Sequence, residues 1–317
     1  MSPCGRPAAS TSAGSTTGPS QFADTAAFQG TDLLLVLFAA GVWGGSFLFM
    51  DIALDHFEPG LVTAFRVWFG AAAVWALPSA RQPVAADARS KLIVLGVVWM
   101  ALPLTLFPVA QQWIDSGLAG MLNSAMPIMT TILAATVFGA VVLRRQVAGV
   151  LVGFAGIVLI GLPEASGGGS NALGVGLVVA AVACYGIAVN VAGPLQQRFG
   201  SAAVVARALL TASLLVVPGA VVALPGSSFS WAALVACFAA GAGGTGYAFV
   251  AAATLTGRVG AVRTSLITYV VPIIAIVLGI VFRDETLSVW AAAGTIVVLA
   301  GAAMASRVPA PSSPSGT

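Results

Sequence analysis

Residues 271–288, VPIIAIVLGIVFRDETLS, repeat a phrase already written at 126–143, MPIMTTILAATVFGAVVL. Each copy opens on an apolar residue and a proline and runs on through small and aliphatic side chains. Pro272 follows Pro127 by 145 positions. Thirteen residues beyond Pro272 stands Glu285; thirteen beyond Pro127 stands Ala140. The match continues, because Gly149 and Gly156 follow Ala140 by nine and sixteen residues, and Gly294 and Gly301 follow Glu285 by the same intervals. Arg66 and Arg207, 141 positions apart, join the duplication if a small insertion or deletion intervenes. The chain is written as two copies of one unit.

Composition sets the solvent of that unit. Of 317 residues, 59% are apolar and 7% charged, and mean hydropathy is +1.01. Soluble domains carry roughly 25% charged residues; this chain has too few to cover a water-facing surface, so lipid surrounds much of it. Ten apolar segments follow one another, at 33–50, 60–79, 92–112, 117–138, 146–163, 172–192, 202–224, 231–255, 261–282 and 287–306. Each is about the length of a helix crossing a ~30 Å hydrocarbon core. Lipid offers no partner for backbone N–H and C=O, so only helices and closed barrels span it. No period-two alternation persists, which argues against strands. The expected fold is all-α, a polytopic membrane protein of ten transmembrane helices in two inverted five-helix repeats.

Residues 1–29 are rich in Ser, Thr, Ala, Gly and Pro and cannot bury a core. No apolar stretch follows Arg6 before Leu33, so they do not read as a signal peptide. They and residues 307–317 are expected as disordered tails. The first repeat then occupies 30–163, a glycine-rich external linker 164–171, and the second repeat 172–306.

Ten of the thirteen Arg and Lys residues fall at alternate span ends: Arg6; Arg81, Arg89 and Lys91; Arg144 and Arg145; Arg198; Arg258 and Arg263; Arg307. The other ends carry Arg283 together with Asp51, Asp55, Glu58, Asp115, Glu164, Asp284 and Glu285. Basic residues stay on the cytoplasmic side, so both termini are expected there. Five spans per repeat is an odd number, which turns the second repeat over relative to the first. Carriers built this way hold substrate near the midplane between the halves. The basic residues are too few and scattered for a nucleic-acid patch. Cys4, Cys184 and Cys237 form no disulfide framework and read as small packing residues.

The ordered set of motifs resembles the EamA-type members of the drug/metabolite transporter superfamily over about 275 residues. VVPIIAIVLGIVFRDETLSVWAAAGTIVVLAG (270–301) is similar to the end of the family's repeat, VWGGSF (42–47) to its first helix and TAFRVWFG (63–70) to its second. The resemblance implies two five-helix repeats, transport of small organic metabolites such as amino acids or their derivatives, an exporter, and a bacterial cytoplasmic (inner) membrane. Where the family often has a second Glu this chain has Ala140, so no symmetric pair of glutamates is implied.

Glu285 is expected in the first turn of the tenth span, where a carboxylate suits the positive helix end by ~0.3–1 kcal/mol; the alternative role is a proton site or substrate contact. Arg66 and Arg207 are the charges well inside apolar segments, at a cost of at least ~2.5–3.5 kcal/mol at a helix centre. Snorkelling or pairing with backbone carbonyls would relieve it; the other role is a counter-charge for an anionic substrate. Prolines interrupt many spans, and a proline at membrane depth is tolerated beside protein or a wet cavity. The matched Pro127 and Pro272 point to that cavity. Candidates for its lining are Trp43, Ser46, Arg66, Gln111, Gln112, Asn123, Tyr185, Asn190, Arg207, Tyr247, Thr268 and Tyr269, although for each taken singly a helix–helix hydrogen bond is the simpler role.

Other motifs dissolve on inspection. GAGGTG (241–246) has the spacing of a dinucleotide loop but lies inside an apolar run with no preceding strand, and reads as close helix packing. GVLVG (149–153) reads as tight helix contact within the fold, or as a dimer face. His56, the single histidine, sits in an acidic loop with no Cys or second His nearby, which makes it a poor metal site. No zinc motif or hydrolytic triad is available, and no cofactor is expected. The function read from the sequence is a secondary transporter working by alternating access, with a membrane enzyme on lipid-linked substrates and a passive channel as alternatives. A monomer suffices for this fold, and a homodimer remains open. The partners expected are a small-molecule substrate and the lipid bilayer. No carboxylate stands near the membrane middle, so facilitated transport or exchange is expected rather than proton coupling.

Overall fold

A computed structural model describes residues 30–139, 143–166, 169–255 and 266–306. The expected tails and Ala140 lie outside the described residues. Within them all regular structure is helical, and it falls on the ten apolar segments: α1 Gly30–Leu54, α2 Pro59–Trp75, α3 Ala86–Ala110, α4 Ser116–Thr136, α5 Arg144–Ser166, α6 Gly169–Phe199, α7 Ser201–Leu215 with Val217–Gly226, α8 Trp231–Leu255, α9 Leu266–Arg283 and α10 Val289–Ser306. Among the described residues five helices are each long and apolar enough to cross a bilayer, and α7 makes a sixth when its two parts, bent by 45°, count together; α9 and α10 are shorter apolar helices. The helices of the linker region run further than expected. α5 continues to Ser166 and α6 starts at Gly169, so 164–166 and 169–171 are helical.

Sequence chemistry explains the ends and breaks. Pro59 opens α2, where its missing N–H costs nothing. Ser288 accepts from the N–H groups of Trp290 and Ala291 at 3.2 and 3.4 Å and so caps α10. The matched prolines behave differently: Pro127 follows a break at Ser124–Ala125 that divides α4, whereas Pro272 sits inside an unbroken α9. α3 and α8 both carry a π-helical stretch, Gly96–Ala101 and Ala239–Tyr247. Under the 145-residue offset of the prolines these are the same place in the two repeats.

The packing shows the inversion directly. A Cβ on Gly301 would lie 2.6 Å from the Gly149 carbonyl oxygen, and one on Gly156 would lie 2.8 Å from that of Gly294. Gly149 corresponds to Gly294 and Gly156 to Gly301, so each contact is the other's mirror under a two-fold exchange. The lower number of one helix meets the higher of the other, so α5 and α10 run antiparallel and the axis lies across them, in the membrane plane. The same exchange recurs elsewhere. Gly44 of α1 abuts Val271 and Ile274 of α9, and Gly186 of α6 abuts Met129 of α4, the counterpart of Ile274. Gly70 of α2 meets Gly241 of α8, and Gly96 of α3 meets Thr211 of α7. The first two helices of each half therefore pack on the third and fourth of the other. GVLVG serves this internal seam, and GAGGTG packs against α1 and α2.

Candidate functional site

The middle of α1 brings together Ser46 with buried polar groups of its neighbours, Arg66 and Gln111. Trp43 donates its Nε1–H to the Gly244 carbonyl in the π-helical stretch of α8, at 2.9 Å. Its ring meets Phe249 edge-on, as does Trp99 from α3. Ser46 bonds back to the Val42 carbonyl at 2.7 Å and lies against Gly244. At the next residue, the Phe47 carbonyl accepts from Gln111 Nε2 at 2.9 Å. The Phe47 ring leans on Phe107, which stacks on Tyr185 of α6. Gln111 Oε1 and Asn123 Oδ1 are buried and have no hydrogen-bond partner among the described residues.

The two matched arginines fare differently. Arg66, 7% exposed, donates from Nε to Thr245 Oγ1 at 3.0 Å, and its NH1 abuts Met50 Sδ at 2.8 Å. Tyr185 and Cys237 are its titratable neighbours, and no carboxylate among the described residues pairs with it. Arg207 reaches back to the 2–3 loop. Its NH1 donates to the carbonyls of Ala80 and Ala203 at 2.8 and 3.0 Å, and its NH2 to that of Gln82 at 2.5 Å.

The remaining expected residues divide. Asn190 donates from Nδ2 to the carbonyls of Thr130 and Gly186, at 3.1 and 2.8 Å, and so ties α6 to α4. Pro272 is buried, and Pro127, Thr268 and Tyr269 are half-buried on α4 and α9. Gln112 and Tyr247 stand on exposed faces, apart from the buried group. Met50, Thr245, Phe107, Trp99 and Phe249 belong to the site without having been singled out by sequence. Thr245 had a signal, being the one hydroxyl in GAGGTG.

Glu285 corrects its expected place. α10 starts at Val289 with Ser288 as its cap, so Glu285 is not in its first turn. Its carboxylate instead closes the start of α4, in the other half of the chain. Oε1 accepts from the Ser116 N–H at 2.9 Å and the Ser116 hydroxyl at 2.5 Å, and Oε2 from the Gly117 N–H at 2.8 Å. The physical appeal is the one expected, a carboxylate at a positive helix end, applied to a different helix. Gly117 and Gly279 leave the space: a Cβ on Gly117 would lie 2.7 Å from Oε2, and one on Gly279 would lie 2.6 Å from the carboxyl carbon. Two residues back, Arg283 pairs with Asp51 through Nε and grips Asp55 with both terminal nitrogens, at 2.9 and 2.8 Å. Arg283 and its hydrogen bonds hold the Asp55 carboxyl below the usual carboxylate range. His56, in the adjoining loop, meets Ser228 Oγ at 3.2 Å. Among the described residues no cluster of His, Cys, Asp or Glu could hold a metal ion.

The site is thus a polar group buried between interleaved halves, with a polar tie across one end. No curated protein matches the chain. A solved crystal structure superposes on it with a TM-score of 0.60 at 22% identity, covering 88% of this chain and 97% of the other, which speaks for the fold. One family profile, that of the EamA-like transporter family, matches residues 31–162 and again 172–307. Those two ranges are the halves whose glycines meet reciprocally. The protein is a polytopic membrane protein, and it belongs to the EamA-like transporter family.

Proposed function

We propose that the protein is a secondary carrier that moves small organic metabolites, such as amino acids or their derivatives, outward across a bacterial cytoplasmic membrane. The observation that carries the reading is the polar tie at one end. Glu285 on α4 and Arg283 on Asp51 and Asp55 join the two halves there, while the counterparts of Arg283 and Glu285 in the first repeat are Phe138 and Ala140. The opposite end is held by different contacts, Arg198 with Asp87 and Arg207 with the carbonyls of Ala80 and Gln82, and an inverted pair of halves whose two ends are held unequally suits alternating access. The basic loops put that tie on the external side and both termini in the cytoplasm. Family membership supports transport rather than lipid-linked enzymology. A single chain supplies both halves, so the unit of transport is the monomer.

Flux moves down the substrate gradient or by exchange, because Asp32, Asp51, Asp55, Asp115, Asp284 and Glu285 all lie at or beyond helix ends and a guanidinium does not deprotonate in proteins. Reconstitution in proteoliposomes tests this. Uptake of an accepted metabolite should saturate, accelerate with the same metabolite on the far side, and change little under an imposed pH gradient at fixed mean pH. Several-fold accumulation driven by the pH gradient alone, or flux that does not saturate, sinks the reading.

A further inference from the structure

Arg66 and Arg207 occupy matched places in the two repeats, and the protein satisfies only one of them. Arg207 gives three hydrogen bonds to backbone carbonyls, two of them in the loop that follows α2. Arg198 is paired with Asp87, and Arg283 with Asp51 and Asp55. Arg66 is more buried than these, yet it has one hydroxyl and one thioether as acceptors, and a thioether is a weak one. Its titratable neighbours, Tyr185 and Cys237, are types neutral at pH 7. A full positive charge is left without an opposing one among the described residues. Burial without a partner is the most costly condition for a charge.

We propose that Arg66 is the anchoring cation for a carboxylate on the transported metabolite, so that the carrier selects organic acids over amines and neutral amides of the same shape. This rests on the carrier reading above. The planar fork of a guanidinium matches a carboxylate, and one such group balances the single charge. The surroundings orient the rest of the molecule. NH1 of Arg66 meets α1 at Met50, and Gln111 meets it at the Phe47 carbonyl, about one turn or ~4.5 Å along the axis. Oε1 of Gln111 and Oδ1 of Asn123, both without a partner among the described residues, are acceptors, suited to N–H or O–H donors on the metabolite rather than to a second anion. Phe107, one turn before Gln111 on α3, stacks on Tyr185. The site takes one carboxylate at Arg66 and donors on the far side.

The test uses the purified full-length protein and a panel of monocarboxylic acids, benzoate and lactate among them, each with its amide and its corresponding amine. Thermal stability is the readout, since a ligand that binds the folded state raises it. Acids are expected to raise the melting temperature where their amides and amines do not. Arg66→Gln removes that preference, and Arg207→Gln leaves it in place. Without any ligand, Arg66→Gln should be at least as stable as wild type, because an unopposed buried charge is gone, whereas Arg207→Gln should be less stable. A panel in which no acid outperforms its amide overturns the proposal, and so does a loss of unliganded stability in Arg66→Gln as large as that in Arg207→Gln. If Arg66→Gln does not fold, that too is the structural outcome and counts against it. Flux separates the two readings. Acids that bind by way of Arg66 without being carried leave the anion site and remove the carrier; amines carried in place of acids do the reverse.

Discussion

Where α5 crosses α10, the two repeats contribute the same chemistry, Gly149 and Gly156 from one and Gly294 and Gly301 from the other, in reciprocal contact. At the ends of the bundle the repeats part company. The second supplies Arg283 and Glu285, which bind Asp51, Asp55 and the start of α4; the first has Phe138 and Ala140 at the matched positions. The spacing of 142 that relates Gly44 to Gly186 also turns Asp51 and Asp55 into Gly193 and Gln197, so the opposite end has no counterpart of this pairing and is joined instead by the more exposed pair of Arg198 and Asp87. The contrast separates two jobs. A seam that stays closed in every state can be symmetric, because each half needs it equally. A tie that opens and closes sets which state is preferred, and preference requires that the ends differ. In a carrier at rest, the end bearing Glu285 should be the closed one.

The seam is where the largest effect is expected. Gly301→Leu adds a side chain whose Cβ would already lie 2.6 Å from the Gly149 carbonyl oxygen. Overpacking of this kind costs roughly 1–3 kcal/mol or more, and the expected result is loss of most monodisperse protein after extraction. Gly176→Ala in α6, where a Cβ meets nothing within 4 Å, is the control and should extract as wild type. Equal yields from both would mean that the seam is not close-packed.

The tie comes next. Glu285→Gln exchanges a carboxylate for an amide that turns an N–H₂ toward one of the Ser116 and Gly117 donors. Hydrogen bonds to charged groups are worth about 1.5–3 kcal/mol each, and the net loss expected is about 1–3 kcal/mol. Gly279→Ala should act in the same direction with the carboxylate still present, since its Cβ would lie 2.6 Å from the Glu285 carboxyl carbon. Both variants should melt lower, and both should expose a cysteine placed at Leu118 to external thiol reagents faster than in wild type. Unchanged labelling would show that the tie does not hold that end shut.

The smallest effect belongs to Asp55, whose side chain is 47% exposed. Arg283 lowers its folded-state pKa, mainly by hydrogen bonding. A carboxylate lowered in this way contributes stability above its unfolded value of ~3.9, and that contribution is lost as pH falls through the lower folded value. Stability attributable to this pair should therefore be flat from neutral pH down to roughly pH 5 and should decline only below about pH 4. Asp55→Asn should cost about 0–1 kcal/mol at neutral pH, as exposed ion pairs do. A difference between variant and wild type that disappears already near pH 6 would assign the effect to another group.

The ten helices and the duplication were readable because lipid leaves a chain few alternatives: long apolar runs must be helices, and the spacing of Pro, Gly and Arg survives in both copies. Which end of which helix Glu285 serves was not readable. A carboxylate just before a helix is the local solution, and the actual partner, Ser116, is 169 residues away in sequence. The fates of Arg66 and Arg207 were equally hidden, because the two stand in similar apolar contexts and differ only in whether a loop comes within reach. Gln112 and Tyr247 illustrate the opposite limit. Polarity singled them out, but the helix face on which a residue lies is fixed by neighbours contributed by the other half.

The reciprocal seam also bears on how the chain is made. Gly156 finds its partner backbone only when Gly294 and Val298 exist, well over a hundred residues later. At roughly 5–20 residues per second of synthesis, α5 waits on the order of 10 s or more in the membrane with its glycine face uncovered. α1 and α2 wait in the same way for α8 and α9. The nascent first half is thus an assembly of helices whose best partners are still on the ribosome. Any factor that shields small-residue helix faces during insertion should matter more for this chain than for a bundle that packs in order of synthesis.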